Sequence, residues 1–172
     1  MALEIERRFL VHPGHAVWTS NGVRIVQGYI PQAAGGNLRV RLAGEQAWLT
    51  VKRTVGPGVR EETNTSIPVA VASSLLHTRC TGGIVEKIRH TLTVGGRVWE
   101  VDVFQGDNEG LTIAEIELDH VGQPFALPSW AGLEITGDPR YGNSRLARTP
   151  YRQWWFATGY PASAARRGSP RE

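Results

Sequence analysis

Along most of the chain apolar and polar residues alternate one by one, the period of a strand with two different faces. The opening run Ala2-Leu3-Glu4-Ile5-Glu6-Arg7-Arg8-Phe9-Leu10-Val11 puts Glu4, Glu6, Arg8 and Leu10 on one face and Leu3, Ile5, Arg7, Phe9 and Val11 on the other. The same pattern recurs over residues 23–30, 37–42, 47–53, 59–67, 84–93, 97–104 and 111–119, which makes eight predicted strands. Turn residues separate them: His12-Pro13-Gly14-His15, Ala33-Ala34-Gly35-Gly36, Gly44-Glu45, Val55-Gly56-Pro57-Gly58, Gly95-Gly96 and Gly106-Asp107-Asn108. Helical periodicity is brief. Pro68 suits the first position of a helix running to about residue 79, and Pro124 and Pro128 allow only a short helix within 121–130. Another short helix is predicted over 143–148, and the small, basic end of the chain is expected to fray.

Sorted by face, the charged positions are not scattered. Seven cations (Arg8, Arg39, Arg41, Lys52, Arg60, Lys87, Arg89) and seven acids (Glu4, Glu6, Glu62, Glu100, Asp102, Glu115, Glu117) fall on the polar faces. The acids concentrate on the first, seventh and eighth strands, the cations on the third, fourth and sixth. Alternation does not say which face turns inward. These could be the solvated faces of an antiparallel sandwich or barrel, but random surface charge would mix the signs within each strand. If the eight strands close with the charged faces inward, they form a tunnel with an acidic wall and a basic wall. Buried unpaired charge is costly, so such a tunnel has to be wet and ligand-filled. Carboxylates at i and i+2 stand about 7 Å apart, near enough to share a divalent ion or hold one each. Arginines at i and i+2, as at Arg39 and Arg41, suit a polyanion.

Composition narrows this further. A length of 172 residues fits one domain, assigned to 1–160 with a basic tail over 161–172. The net charge of +3 is compatible with an anionic ligand and too small to argue for nucleic acid. The six tryptophans do not interleave with basic residues on a strand face as a stacking platform requires. Cys80 stands alone, so no intrachain disulfide forms. The charged beginning has no apolar leader and no run approaches a membrane span, which leads us to expect a cytoplasmic protein with no membrane or nucleic-acid partner. Of 19 basic residues only Lys52 and Lys87 are lysines, and both lie on the charged faces, where a compact ammonium has a use. The five histidines show no ligand spacing, and neither a Walker A loop nor a dinucleotide fingerprint is present.

Against this background Glu4-x-Glu6-x-Arg8 resembles the Glu-x-Glu-x-Lys signature of the CYTH, or triphosphate tunnel metalloenzyme, superfamily, with arginine at the lysine position. The resemblance extends in order through Gln27-Gly28-Tyr29, Leu38-Arg39-Val40-Arg41, Leu49-Thr50-Val51-Lys52, Arg60-Glu61-Glu62 and Glu86-Lys87-Ile88-Arg89. It continues through Glu100-Val101-Asp102-Val103-Phe104, Ala114-Glu115-Ile116-Glu117-Leu118 and Glu134-Ile135-Thr136, followed by Asp138, Arg140, Tyr141 and Asn143. Asn64 stands where many members carry a further acid. The resemblance implies a mainly-β α+β fold, a closed eight-stranded antiparallel barrel with a few flanking helices, that hydrolyses a linear triphosphate with Mg²⁺ or Mn²⁺. It implies Glu4, Glu6, Glu115 and Glu117 as metal ligands, with Glu62 and Asp102 behind them. Arg8, Arg39, Arg41, Lys52, Arg60, Lys87 and Arg89 are then expected to bind phosphates, and Glu4, Glu6, Arg8, Tyr29 and Lys87 to be catalytic. Inorganic triphosphate is the leading substrate because the chain is short. Adenylyl cyclase, nucleoside or thiamine triphosphatase activity, and a non-catalytic polyphosphate-binding module, are the alternatives. Trp154-Trp155-Phe156 is expected to anchor the C-terminal segment or a homodimer contact.

Overall fold

A computed structural model describes residues 5–14, 22–31, 37–56 and 59–158, excluding the side chains of 37, 52–56, 59–62 and 155–158. The strands are β1 (Ile5–Val11), β2 (Val23–Pro31), β3 (Asn37–Ala43), β4 (Gln46–Gly56), β5 (Val59–Ser66), β6 (Ile84–Val94), β7 (Arg97–Gln105), β8 (Thr112–Leu118) and β9 (Ala131–Glu134). Three helices, α1 (Val69–Thr78), α2 (Asn143–Arg148) and α3 (Tyr151–Thr158), and 3-10 turns at Gly106–Asn108 and Pro139–Tyr141 complete the chain. One antiparallel sheet runs β5-β4-β3-β2-β6-β7-β8-β1-β9. The Gly95-Gly96 hairpin between β6 and β7 needs both glycines, whose φ values are +59° and +74°.

The expected closed eight-stranded barrel is not confirmed: among the described residues the sheet has nine strands and is not closed, ending at β5 and β9. The ninth strand takes the edge of β1 that closure would use, with Phe9 opposite Glu134 and Val11 opposite Ala131. Main-chain bonds from His12 N–H to Trp130 O (2.9 Å) and from Ile135 N–H to Arg8 O (2.8 Å) extend that pairing. The helix expected within 121–130 is also absent, and turn and extended backbone take its place. Phe125 and Trp130 are drawn onto the Trp99 ring, at centroid distances of 5.8 and 5.4 Å, and a proline-interrupted extended segment can deliver both.

One face of the sheet is apolar and covered. Phe9, Trp99, Val101, Ala114, Ile116 and Leu118 pack beneath the segment containing Phe125 and Trp130. Val40 and Ala47 pack beneath Ala72 of α1 and Cys80. The opposite face carries the charges, but its apolar end is sealed as well: Val85, Phe104 and Ile113 meet Tyr141, Leu146 and Ala147 of the C-terminal cap. Gly83 permits that seal, because a Cβ there would lie 2.0 Å from the Ala147 carbonyl oxygen and its φ is +96°. Trp154 pins the cap from behind, donating to Thr149 O at 3.0 Å and packing edge-on against Tyr141 and Tyr151. Among the described residues no helix is long and apolar enough to cross a membrane.

Candidate active site

Residues directly opposite in an antiparallel ladder share a face, so register alone tests whether the charged faces coincide. They do. Arg8 is opposite Glu115 and Glu6 opposite Glu117; Glu100 is opposite Glu115 and Arg89 opposite Asp102. Across β2, Gln27 faces Arg41 and Tyr29 faces Arg39, and β4 continues the row with Thr50 opposite Arg39. This face turns inward: Gln27, Thr50 and Lys87 are 0% exposed and Asp102 1%. That burial decides against the solvated-face alternative.

The centre of the face is an ion-pair seam on β6 and β7. The Lys87 ammonium donates to Asp102 Oδ2 and sits 5.5 Å from the centroid of the Phe104 ring. Arg89 grips the same carboxylate in a fork, Nε to Oδ1 and Nη2 to Oδ2, both 2.7 Å. It also donates to Glu100 and, at 3.2 Å, to Glu115 Oε2. Burial alone would raise the Asp102 pKa, but Lys87 and Arg89 hold it down at about 2. Burial pushes the Lys87 ammonium below its ordinary value, Asp102 restoring part of the loss and Arg89 adding to it. Burial also opposes the charged Arg89, yet its hydrogen bonds to Asp102 and the charges of Asp102, Glu100 and Glu115 outweigh this and raise its pKa.

On one flank, over β2 to β4, the cations meet neutral groups. Arg39 Nη2 donates to Thr50 Oγ1 at 3.0 Å, and Arg41 Nε donates to Gln27 Oε1 at 3.1 Å. Gln27 Nε2 in turn donates to the Tyr29 hydroxyl at 2.9 Å. Burial, followed by repulsion from Arg39 and Arg89, lowers the Arg41 pKa to about 10. On the other flank, Glu6, Glu100, Glu115 and Glu117 with Val98 line a cleft of about 110 Å³. Arg8 Nε donates to Glu115 Oε1 at 2.9 Å.

The sequence-derived residues Glu6, Arg8, Glu115 and Glu117 thus gather at the acidic flank, Lys87, Arg89 and Asp102 at the seam, and Tyr29, Arg39 and Arg41 at the basic flank. Glu4 lies outside the described residues. So do the side chains of Lys52, Arg60 and Glu62, although the backbone register puts Lys52 opposite Glu62 and Thr54 opposite Arg60. The loop 33–36, the side chains of Trp155 and Phe156 and the 161–172 tail are likewise outside them. Among the described residues no group of three His, Cys, Asp or Glu side chains converges as a ready metal cage. The cleft nevertheless fits a hard divalent ion in chemistry, since its polar lining is carboxylate oxygen throughout. Glu100, Gln27 and Thr50 belong to the site without having been assigned a role in it. Glu100 was legible in its alternation with Asp102, whereas Gln27 and Thr50 carry no charge to betray them.

The model of the CYTH domain matches residues 2–146. The chain belongs to the CYTH domain family. It is 42% identical over 154 residues to an inorganic triphosphatase of Acetivibrio thermocellus, covering 90% of this chain and 99% of that one. It is 34% identical over 150 residues to an inorganic triphosphatase of Nitrosomonas europaea, covering 84% of this chain and 96% of that one. Among solved structures, an inorganic triphosphatase superposes with a TM-score of 0.66 at 32% identity, over 86% of this chain and 96% of that chain. A Hippeastrum protein reported to have a dominant triphosphatase activity shares the fold at 14% identity, with a TM-score of 0.51 over 69% of this chain and 80% of that chain.

Proposed function

We propose that this CYTH domain protein hydrolyses inorganic triphosphate to pyrophosphate and phosphate with Mg²⁺ or Mn²⁺ bound. The observation that carries this reading is the single inward face with a cationic flank on β3 and an acidic flank on β8 and β1. A linear triphosphate paired with a divalent ion complements both flanks at once. The names of the relatives agree.

Phosphoryl transfer asks mainly for positioning and charge neutralisation, so no nucleophilic side chain is needed. Arg39 and Arg41 take phosphate oxygens, and Lys52 and Arg60 extend the cationic flank along β4 and β5. Lys87 and Arg89 stand between the two flanks, where Asp102 holds both in place. The Tyr29 hydroxyl accepts from Gln27 on the same face. Glu6, Glu115 and Glu117 of the cleft, together with Glu4, would hold the metal, with Glu62 and Asp102 as further candidates. When bound there, a divalent ion would supply neutralisation of phosphate charge and activation of water.

The test is phosphate release from inorganic triphosphate, ATP and thiamine triphosphate, each with Mg²⁺, Mn²⁺ or EDTA. Metal-dependent release that is fastest with inorganic triphosphate is expected. Cyclic AMP and pyrophosphate from ATP would replace this reading with the cyclase one. Tight binding of triphosphate without release from any substrate would make the protein a polyphosphate-binding module.

A further inference from the structure

Arg8 occupies the position of the signature lysine, yet its geometry is that of a clamp. It is 8% exposed. Nε donates to Glu115 Oε1 at 2.9 Å, and Nη2 donates to the main-chain carbonyl of Tyr141 at 3.2 Å. Its own backbone is fixed on the same side: Arg8 N–H donates to Thr136 Oγ1 at 3.0 Å, and Arg8 C=O accepts from Ile135 N–H at 2.8 Å. Tyr141 ends the 3-10 turn that leads into α2, and Leu146 of α2 seals the apolar end of the charged face. A guanidinium forks to two acceptors in different directions. A lysine presents one nitrogen and lacks that fork.

We propose that Arg8 is a positioning residue that ties the C-terminal cap to Glu115 and so sets the acidic flank, and that it does not itself bind phosphate. The inference rests on the triphosphatase reading for its kinetic part only. Glu115 is held at both oxygens, Oε1 by Arg8 and Oε2 by Arg89, which fixes its direction in the cleft. Arg89 also engages Glu100. Weakening the clamp would free Glu115 to swing and the 141–148 segment to lift.

The experiment compares the full chain with its Arg8→Lys, Arg8→Gln and Glu115→Gln variants. Amide hydrogen exchange of the metal-free proteins reports on the cap, calorimetry reports Mn²⁺ binding without substrate, and steady-state kinetics supplies kcat and KM. For Arg8→Lys, faster exchange within 135–148 and Mn²⁺ binding roughly 10-fold weaker are expected. Turnover should fall about 10–100-fold in kcat, with KM for triphosphate within about twofold. Glu115→Gln should reproduce the exchange change, and combining it with Arg8→Gln should add nothing, as for two ends of one contact. A raised KM with kcat retained would overturn the proposal, since that is the signature of a direct phosphate ligand. Unchanged exchange in 135–148, or fully additive losses, would overturn it too. A wild-type protein that turns over no triphosphate defeats the functional reading alone, because exchange and Mn²⁺ binding still decide the clamp.

Discussion

Arg41→Gln is expected to make the ligand-free protein more stable and a worse binder of triphosphate. The Arg41 pKa falls from its ordinary value to about 10, first through burial and then through repulsion by Arg39 and Arg89. That drop corresponds to about 3 kcal/mol against the charged form in the folded state. Residual solvent screening and the loss of stem packing reduce the expected gain to about 1–2 kcal/mol. Glutamine keeps an amide donor to offer Gln27 Oε1, so the hydrogen bond at 3.1 Å has a replacement. For a chain of this size the melting temperature should rise by roughly 2–8 °C at low ionic strength. The sign follows from linkage: a base whose folded pKa lies below its unfolded one costs stability at every pH below the folded value. The penalty fades only as pH rises above about 10. The difference between variant and wild type should therefore be constant from pH 6 to 9. Added pyrophosphate should stabilise wild type more than the variant, whose KM for triphosphate should rise about 10–100-fold, the worth of a hydrogen bond to a charged group. A variant that melts lower than wild type without any anion would refute the reasoning, because the flank would then carry its own counter-charge.

Four further substitutions test other parts of the molecule. Asp102→Asn leaves Lys87 buried beside a neutral group and should cost about 3–5 kcal/mol, read from the urea midpoint. Because the Asp102 pKa is depressed from 3.8 to about 2, its contribution is full above the unfolded value and is lost as pH falls from about 4 to 2. Asp102→Asn should flatten that acid limb, and an unaltered limb would assign acid unfolding to other groups. Glu117→Gln or Glu4→Gln should abolish turnover with the circular dichroism spectrum unchanged, and near wild-type phosphate release at saturating metal would remove that carboxylate from the metal set. Leu146→Ala should destabilise by about 2–5 kcal/mol in urea unfolding, and a loss below about 1 kcal/mol would mean that the cap is not packed as described.

The strands β1 to β8 were legible because each carries at least three alternations, and the site was legible because its charges obey the same period. The apolar end was written there as well: Leu10 follows Glu6 and Arg8, Phe104 follows Glu100 and Asp102, and Ile113 and Val85 precede the charges of β8 and β6. What escaped lacks a period of its own. Ala131–Glu134 is four residues long and becomes a strand only because β1 offers it an edge. The 121–130 segment takes its course from the Trp99 ring, a tertiary contact that no local propensity encodes. α3 has no such excuse in length, but its sequence YRQWWFAT is rich in poor helix formers. The fork of Arg8 on the Tyr141 carbonyl joins residues 133 positions apart, and a backbone acceptor leaves no mark in sequence.

The seam explains why charge segregation along the sheet matters more than the totals. Lys87, Arg89, Asp102 and Glu100 neutralise one another on β6 and β7. They therefore act as a divider. The strands before the divider leave a cationic excess whose cost is visible in the depressed pKa of Arg41. The strands beyond it bring the carboxylates of Glu6, Glu115 and Glu117 to one cleft. A bare polyanion would relieve the first and aggravate the second, and a bare divalent ion would do the reverse. A phosphate chain carrying its own cation relieves both, in one orientation, across the divider. Binding of metal and of triphosphate should accordingly be mutually strengthening, each lowering the dissociation constant of the other by the same factor. Independent dissociation constants in calorimetric titrations would show that the two flanks are not read by one ligand.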